Sequence, residues 1–318
     1  MDLRTQLRRL DFEKYGPLFA LVVLFAISSV SSPYFLQPEN LLNILRQVSY
    51  TGIIALGMTF VIISGGIDLS VGPATALTGG LVIMALNRLG GTVGAILAAI
   101  GVGLVLGVVL GAVNGFIITK GKVAPFIATI GTMAIFRSLT LQISNAGEFR
   151  SESSIYPNFG MGSFLGVPNP VWIFLGLALL FGLLLNHTRF GRYVCAVGSN
   201  ERVATYSAIK VDWIKFLCYV LTGLTVAVSA VLLSSRLNSI SSTNAGANFE
   251  LDAISAVIIG GTPMTGGTGF VSGTVIGAVI LGIVNNMLNM LGVSPYLQGT
   301  VKGLVIIGAV LIQRKGKK

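Results

Sequence analysis

The sequence predicts an all-α integral membrane protein, a polytopic bundle of about ten transmembrane helices with broken or short segments. Three observations carry that prediction. Of 318 residues, 53% are hydrophobic and only 10% are charged, against roughly 25% charged in a soluble domain. Such a chain has too little polar surface to stay in solution. There are 41 glycines, and glycine lets membrane helices approach closely. Long apolar runs recur from residue 16 onward with polar or basic connections between them. Residues 1–318 read as a single membrane-spanning domain.

Taken in order, the first segment is 16–30. It follows Arg4, Arg8, Arg9 and Lys14, a pattern shared with cleaved signal peptides. Asp2, Asp11 and Glu13 are unusual there, and many spans follow, so an uncleaved first helix is expected. Residues 31–47 are polar, with Leu41, Leu42 and Leu45 at helical spacing, and are expected to lie along the membrane surface. The second and third segments are 48–63 and 71–86, the fourth and fifth 92–119 and 123–143. After a polar loop, 144–168, comes the sixth, 170–185, then a basic loop, 186–212, and the seventh, 213–233. A Ser/Asn-rich loop precedes the eighth, 251–260, which is about half the length needed to span. It runs into the glycine-rich stretch 260–269. The ninth is 270–291 and the tenth 300–312.

The net charge of +10 is an orientation signal and not a nucleic-acid footprint. With the N-terminus inside, the inner loops hold Arg4, Arg8, Arg9, Lys14, Lys120, Lys122, Arg189, Arg192, Arg202, Lys210, Lys215, Arg314, Lys315, Lys317 and Lys318. The outer loops hold only Arg46, Arg88, Arg150 and Arg236, while Arg137 and Lys302 fall inside segments. Both termini are therefore expected in the cytoplasm.

The oddest stretch is 64–73, SGGIDLSVGP, an interruption between two apolar runs. In lipid a broken helix leaves backbone groups unpaired, so such a break needs protein or a water-filled cavity around it. Asp68 or Ser70 reads as an N-cap of the next helix, with Pro73 tolerated in its first turn. An acid at that depth is equally a functional candidate. The fourth segment carries Gly103, Gly107, Gly111 and Gly115 on one face, for close packing within the subunit or for a subunit contact.

Enzymatic constellations are missing. No GxxxxGK followed by Ser or Thr is present, so the chain cannot bind ATP through a Walker A loop. One histidine, His187, and two cysteines, Cys195 and Cys218, give no metal spacing and no disulfide framework. Glu250 and Asp252 sit at the entry to the short eighth segment; the embedded or near-embedded acids are Asp68 and Asp252, where helix capping competes with ion coupling. Asn114, Asn285, Asn286 and Asn289 are candidate pathway-lining amides, since an amide both donates to and accepts from a sugar hydroxyl; interhelical hydrogen bonding is the plainer alternative. In the basic loop, 198–200 reads as a turn with an N-cap and 201–208 as a short cytoplasmic helix suited to docking on another protein.

These residues carry a resemblance. Residues 64–72 (SGGIDLSVG) resemble the hallmark of the membrane permeases of bacterial ABC sugar importers, the ribose, xylose and galactoside group. Residues 188–204 (TRFGRYVCAVGSNERVA) resemble that family's cytoplasmic loop, and 250–262 and 283–293 its third and fourth motifs. The likeness covers essentially the whole chain in order and is nearest to the ribose branch. Ala208-Ile209 departs from the Gly-Ile often found there.

The resemblance implies an ABC importer permease fold working as a homodimer around a central pathway in the inner membrane. A separate ATPase subunit uses the ATP, this chain binds no cofactor, and a periplasmic binding protein delivers ribose or a related monosaccharide. It places Gly65, Gly66, Asp68, Ser70 and Gly72 in a gating turn, and Glu250, Asp252, Gly260 and Gly261 in its counterpart. Arg192, Gly198, Asn200, Glu201 and Ala204 fall on the ATPase-coupling loop. The rival reading is a stand-alone ion-coupled carrier of a small polar solute.

Overall fold

The computed structural model of the protein describes residues 12–294, 297–304 and 307–308 and is arranged around one buried helix. After α1 (Phe12–Ser31) comes that central helix, α2 (Pro38–Ile63), followed by α3 (Val71–Arg88), α4 (Val93–Thr119) and α5 (Pro125–Ser144). A polar cap holds β1 (Glu148–Arg150), α6 (Pro157–Met161), β2 (Ser163–Phe164) and β3 (Val167–Pro168). Then follow α7 (Asn169–His187), α8 (Arg189–Ser199), α9 (Glu201–Tyr206), α10 (Val211–Leu237), β4 (Ser239–Ser241), α11 (Phe249–Ile259) and α12 (Val271–Met290). Two small antiparallel pairs, β1 with β4 and β2 with β3, close the end opposite α8 and α9.

The expectation that 31–47 lies on the membrane surface is corrected: residues 38–47 are the opening turns of α2. Pro38 starts the helix and Glu39 favours its positive end. Leu41 and Ile44 then continue one apolar face into Val48, and nothing between them breaks the helix. From Val48 to Ser64 only Thr51 is not fully buried.

Among the described residues, six helices are long and apolar enough to cross a membrane: α2, α4, α5, α7, α10 and α12, with a shorter apolar stretch at 16–31. The third predicted segment, α3, falls outside that set. Pro73, Thr75, Thr78, Asn87 and Arg88 dilute its hydropathy, yet residues 71–80 are all buried, so protein and not lipid surrounds it. The tenth segment lies only partly within the described residues, and the basic residues of 1–11 and 309–318 lie outside them.

The glycine stripe of α4 packs inside the subunit. A Cβ on Gly107 or Gly111 would collide with the backbone of Gly223 or Tyr219 on α10, and one on Gly103 or Gly115 would crowd Val82 or Phe216. The two backbones meet because neither carries a side chain at the crossing.

Candidate translocation and coupling site

The helix break at 64–70 is a built turn. Gly65 has φ +82° and follows the C-cap residue Ser64. The Gly65 N–H donates to Ile62 O (2.9 Å) and the Gly66 N–H to Val61 O (2.9 Å), the paired bonds of a Schellman cap. The Tyr219 hydroxyl on α10 donates to Ile67 O (3.1 Å) and leaves no room for a Cβ on Gly66. Asp68 then accepts from the Ser70 N–H (2.9 Å) and the Ser70 hydroxyl (2.7 Å). Asn114 on α4 donates to Ser70 Oγ (2.7 Å) and to Asp68 (3.3 Å), and Thr132 on α5 donates to Asn114 Oδ1 (2.6 Å). All four side chains are buried. Ser70 occupies the N-cap position of α3 without a side-chain capping bond. Asp68 therefore secures the turn to α4 and α5 through donors.

The counterpart break follows α11 and repeats this geometry. Gly261 has φ +93°. Its N–H donates to Ile258 O (2.9 Å) and that of Thr262 to Val257 O (3.2 Å). Gly260 lies against Gly273, and Gly277 against Ala256, which seats α11 on α12. At the other end of α11, Gly246 packs on Gly72, where a Cβ on Gly72 would strike both Gly246 O and the Glu250 carboxylate. Asp252 pairs with Lys302 (3.0 Å), both largely buried. Arg137 on α5 holds the chain entering α11, donating to Ser242 O (2.7 Å) and Ala245 O (3.0 Å).

Sequence reasoning left Arg137 and Lys302 without a task. Their signal was being cations within apolar segments, which need an internal partner. Thr132 and Tyr219 had no such signal, because a hydroxyl on an apolar helix is common.

The basic loop folds as two helices. Gly198 and Ser199 belong to α8, so the predicted turn at 198–200 reduces to Asn200 alone. Asn200 caps α9 by accepting from the N–H groups of Arg202 and Val203 (both 3.1 Å). Glu201 pairs with Lys215 at the start of α10 (2.6 Å), and Ala204 is buried. Arg192 is exposed, as are Val203 and Tyr206, the latter at 88%. Burial pushes the Cys195 thiol above its ordinary value, so it is not an activated nucleophile.

Three backbones converge where α8 ends. The Gly267 N–H donates to Ile63 O (2.8 Å), and Gly198 lies so close to both that any Cβ would overlap them. Ser199 Oγ reaches Gly267 O at 3.5 Å. The end of α8 thus touches both interrupted segments.

The four asparagines separate. Asn114 is buried in the Asp68 network. Asn286 exchanges bonds with Asn40 of α2 (2.7 and 3.2 Å). Asn289 is exposed and accepts from Gln298 (2.8 Å). Asn285 is half-buried, with an Oδ1 that has no partner among the described residues. Among the described residues no group of His, Cys, Asp and Glu is placed to hold a metal ion.

The bundle thus combines six helices long and apolar enough to cross a membrane, two breaks that turn at Gly65 and Gly261, and a capped helix pair that touches both breaks. Residues 40–310 match the family described as the branched-chain amino acid transport system / permease component, and the chain belongs to that family. Ribose import permease protein RbsC of Bacillus subtilis (strain 168) is 46% identical over 320 residues, 99% of this chain and 98% of the relative. The RbsC of Escherichia coli (strain K12) is 46% identical over 302 residues, 94% of this chain and 92% of the relative. The D-allose transport system permease protein AlsC of the same strain is 40% identical over 306 residues, 96% and 93% of the two chains.

Proposed function

We propose that the chain is the membrane permease of an ABC importer for ribose or a related monosaccharide, delivered by a periplasmic binding protein. A separate ATPase subunit docks on α8 and α9 and supplies the energy. Two copies form the pathway, each a single domain spanning the inner membrane about ten times with both termini in the cytoplasm. Residues 186–212 are the coupling loop. The similarity to sugar permeases over nearly the whole chain supports the substrate class. The observation that carries the coupling role is the contact of Gly198 with Ile63 and Gly267, which joins the loop to both breaks.

The mechanism follows from that contact. Closure of the ATPase dimer pulls α9 through its exposed Val203 and Tyr206. Asn200 and the Glu201–Lys215 pair keep α8, α9 and α10 moving together. The end of α8 bears on Ile63 and Gly267, so the turns at 64–70 and 260–269 shift as one, and the helices beyond them swing between two access states. Gly65 and Gly261 absorb the change because their backbones already occupy φ values open to glycine.

The test is uptake of labelled ribose into proteoliposomes holding the permease, its ATPase and the binding protein. Uptake that requires all three and ATP is expected. Uptake by the permease alone on an ion gradient would establish the carrier reading instead.

A further inference from the structure

The end of the bundle opposite α8 and α9 carries an apolar hairpin just before α7. β2 pairs with β3, Phe164 opposite Val167, so Leu165 and Gly166 form its two-residue tip. Both tip residues have positive φ, +53° and +77°, as a type I′ turn requires. Asn, Asp or Gly is the usual first residue of such a turn, and leucine is unfavourable there because its Cβ crowds the backbone. Packing inside the protein does not compensate: Leu165 is 79% exposed, with Phe164 beside it at 63%. A tip built this way gains only from an apolar surrounding outside the fold.

The neighbours of the hairpin identify that surrounding. The Phe164 ring meets Trp172 of α7 edge-on, centroids 6.2 Å apart, and the Trp172 indole N–H donates to Phe164 O (3.0 Å). Trp172 opens an exposed stripe that continues through Leu175, Leu179 and Leu183 on one face of α7. Since α7 is long and apolar enough to cross a membrane, this stripe faces lipid, and the hairpin extends it past the helix end. Residues 153–186 contain no charged side chain, whereas a protein-docking face carries a polar rim. The 19 residues of α7 span about 28 Å at about 1.5 Å each, close to a hydrocarbon core of about 30 Å. Trp172 and the hairpin therefore stand at the level of the headgroups. The open backbone edges of the hairpin keep it from going deeper, because they need water or headgroups to bond to.

Resting on the permease reading above, which sets the hairpin in the outer leaflet, we propose that residues 163–167 are a membrane-interface anchor. Phe164 and Leu165 insert between the headgroups and the upper acyl chains, and Trp172 lies at the boundary, where an amphipathic ring is favoured. The anchor fixes the depth of α7. That helix is seated on α2, with the Phe174 ring tight against Gly52 and Phe181 edge-on to Phe60 (5.6 Å). The lipid contact thus holds the central helix at constant height while the segments beyond its break move.

The test places a single tryptophan at the tip and asks what quenches it. The chain's two tryptophans, Trp172 and Trp213, are replaced by Phe, and Leu165→Trp is added. The full-length permease is set in phosphatidylcholine nanodiscs, both faces of which are open to solutes, and assembly is checked by gel filtration. In the same background, Leu179→Trp on the lipid-facing stripe and Tyr206→Trp on exposed α9 are the references. At the tip, bromine on the upper acyl chain is expected to quench about twofold more than bromine near the chain end, with little quenching by aqueous iodide. Leu179→Trp is expected to respond to the deeper bromine and Tyr206→Trp to iodide alone. If Leu165→Trp fails to assemble, Phe164→Trp decides by the same criteria. Quenching of the tip by iodide and not by bromine would overturn the anchor, whether or not added sugar-binding protein then shields it. Protection from both quenchers would also overturn it, and would place a second copy of the chain over the hairpin. Loss of bromine quenching at Leu179→Trp as well would overturn the membrane path of α7, whereas the permease reading is decided separately by uptake.

Discussion

At the scale of single residues, the acid that looked most like chemistry acts as a fastener. Asp68 gathers donors from Ser70 and Asn114, and Asn114 is held in turn by Thr132. Asp68→Asn turns an amide NH2 toward these donors, and a buried group left unsatisfied costs about 1–3 kcal/mol. The purified variant is expected to unfold at lower temperature, and an unchanged midpoint would contradict the fastening role. Ala208 makes the opposite point. It sits at φ +59°, directly after the C-cap residue of α9. The bonds from its N–H to Thr205 O and from the Ile209 N–H to Ala204 O complete a Schellman cap. Glycine is the usual residue there, because a side chain at positive φ costs roughly 1 kcal/mol. Ala208→Gly is therefore expected to raise stability by about that amount, read as a higher unfolding midpoint. A lower midpoint would show that the strain is absent.

At the scale of elements, α9 is short and depends on its attachments. Six residues do not make a stable helix by themselves. It stands because Asn200 caps it, Ala204 is buried and Glu201 is tied to Lys215. The ion pair is partly exposed and worth under about 1 kcal/mol, so its value is positional. Glu201→Lys is expected to detach α9 from α10 and to reduce coupled uptake while the bundle stays folded. Adding Lys215→Glu restores the opposite charges and should restore uptake. Failure of the swap to rescue would mean that Glu201 acts on the ATPase directly. At the outer face of α9, Tyr206→Ala should weaken ATPase binding in pull-down assays, with equal binding counting against docking there.

At the scale of the whole molecule, much was legible because lipid imposes harsh rules. The interruptions at 64–73 and 260–269 stood out, since apolar runs tolerate glycine pairs and acids only where something surrounds them. The stripe from Gly103 to Gly115 gave close packing, though its partner on α10 was invisible. The length of α2 was missed because polar residues at 37–47 masked a helix that nothing interrupts. The pairing of Asp252 with Lys302, and of Arg137 with carbonyls over a hundred residues away, depends on tertiary contact that no local pattern encodes. What unites these parts is the meeting of Ile63, Gly198 and Gly267, where the end of α8 touches both breaks. The most direct measurement is ATP hydrolysis and ribose uptake followed together in the same proteoliposomes, with and without Gly198→Ala. The added methyl forces the three backbones apart. Hydrolysis is expected to continue while sugar moved per ATP falls by about tenfold, a loss of about 1.4 kcal/mol in coupling. An unchanged ratio of sugar to ATP would contradict the account.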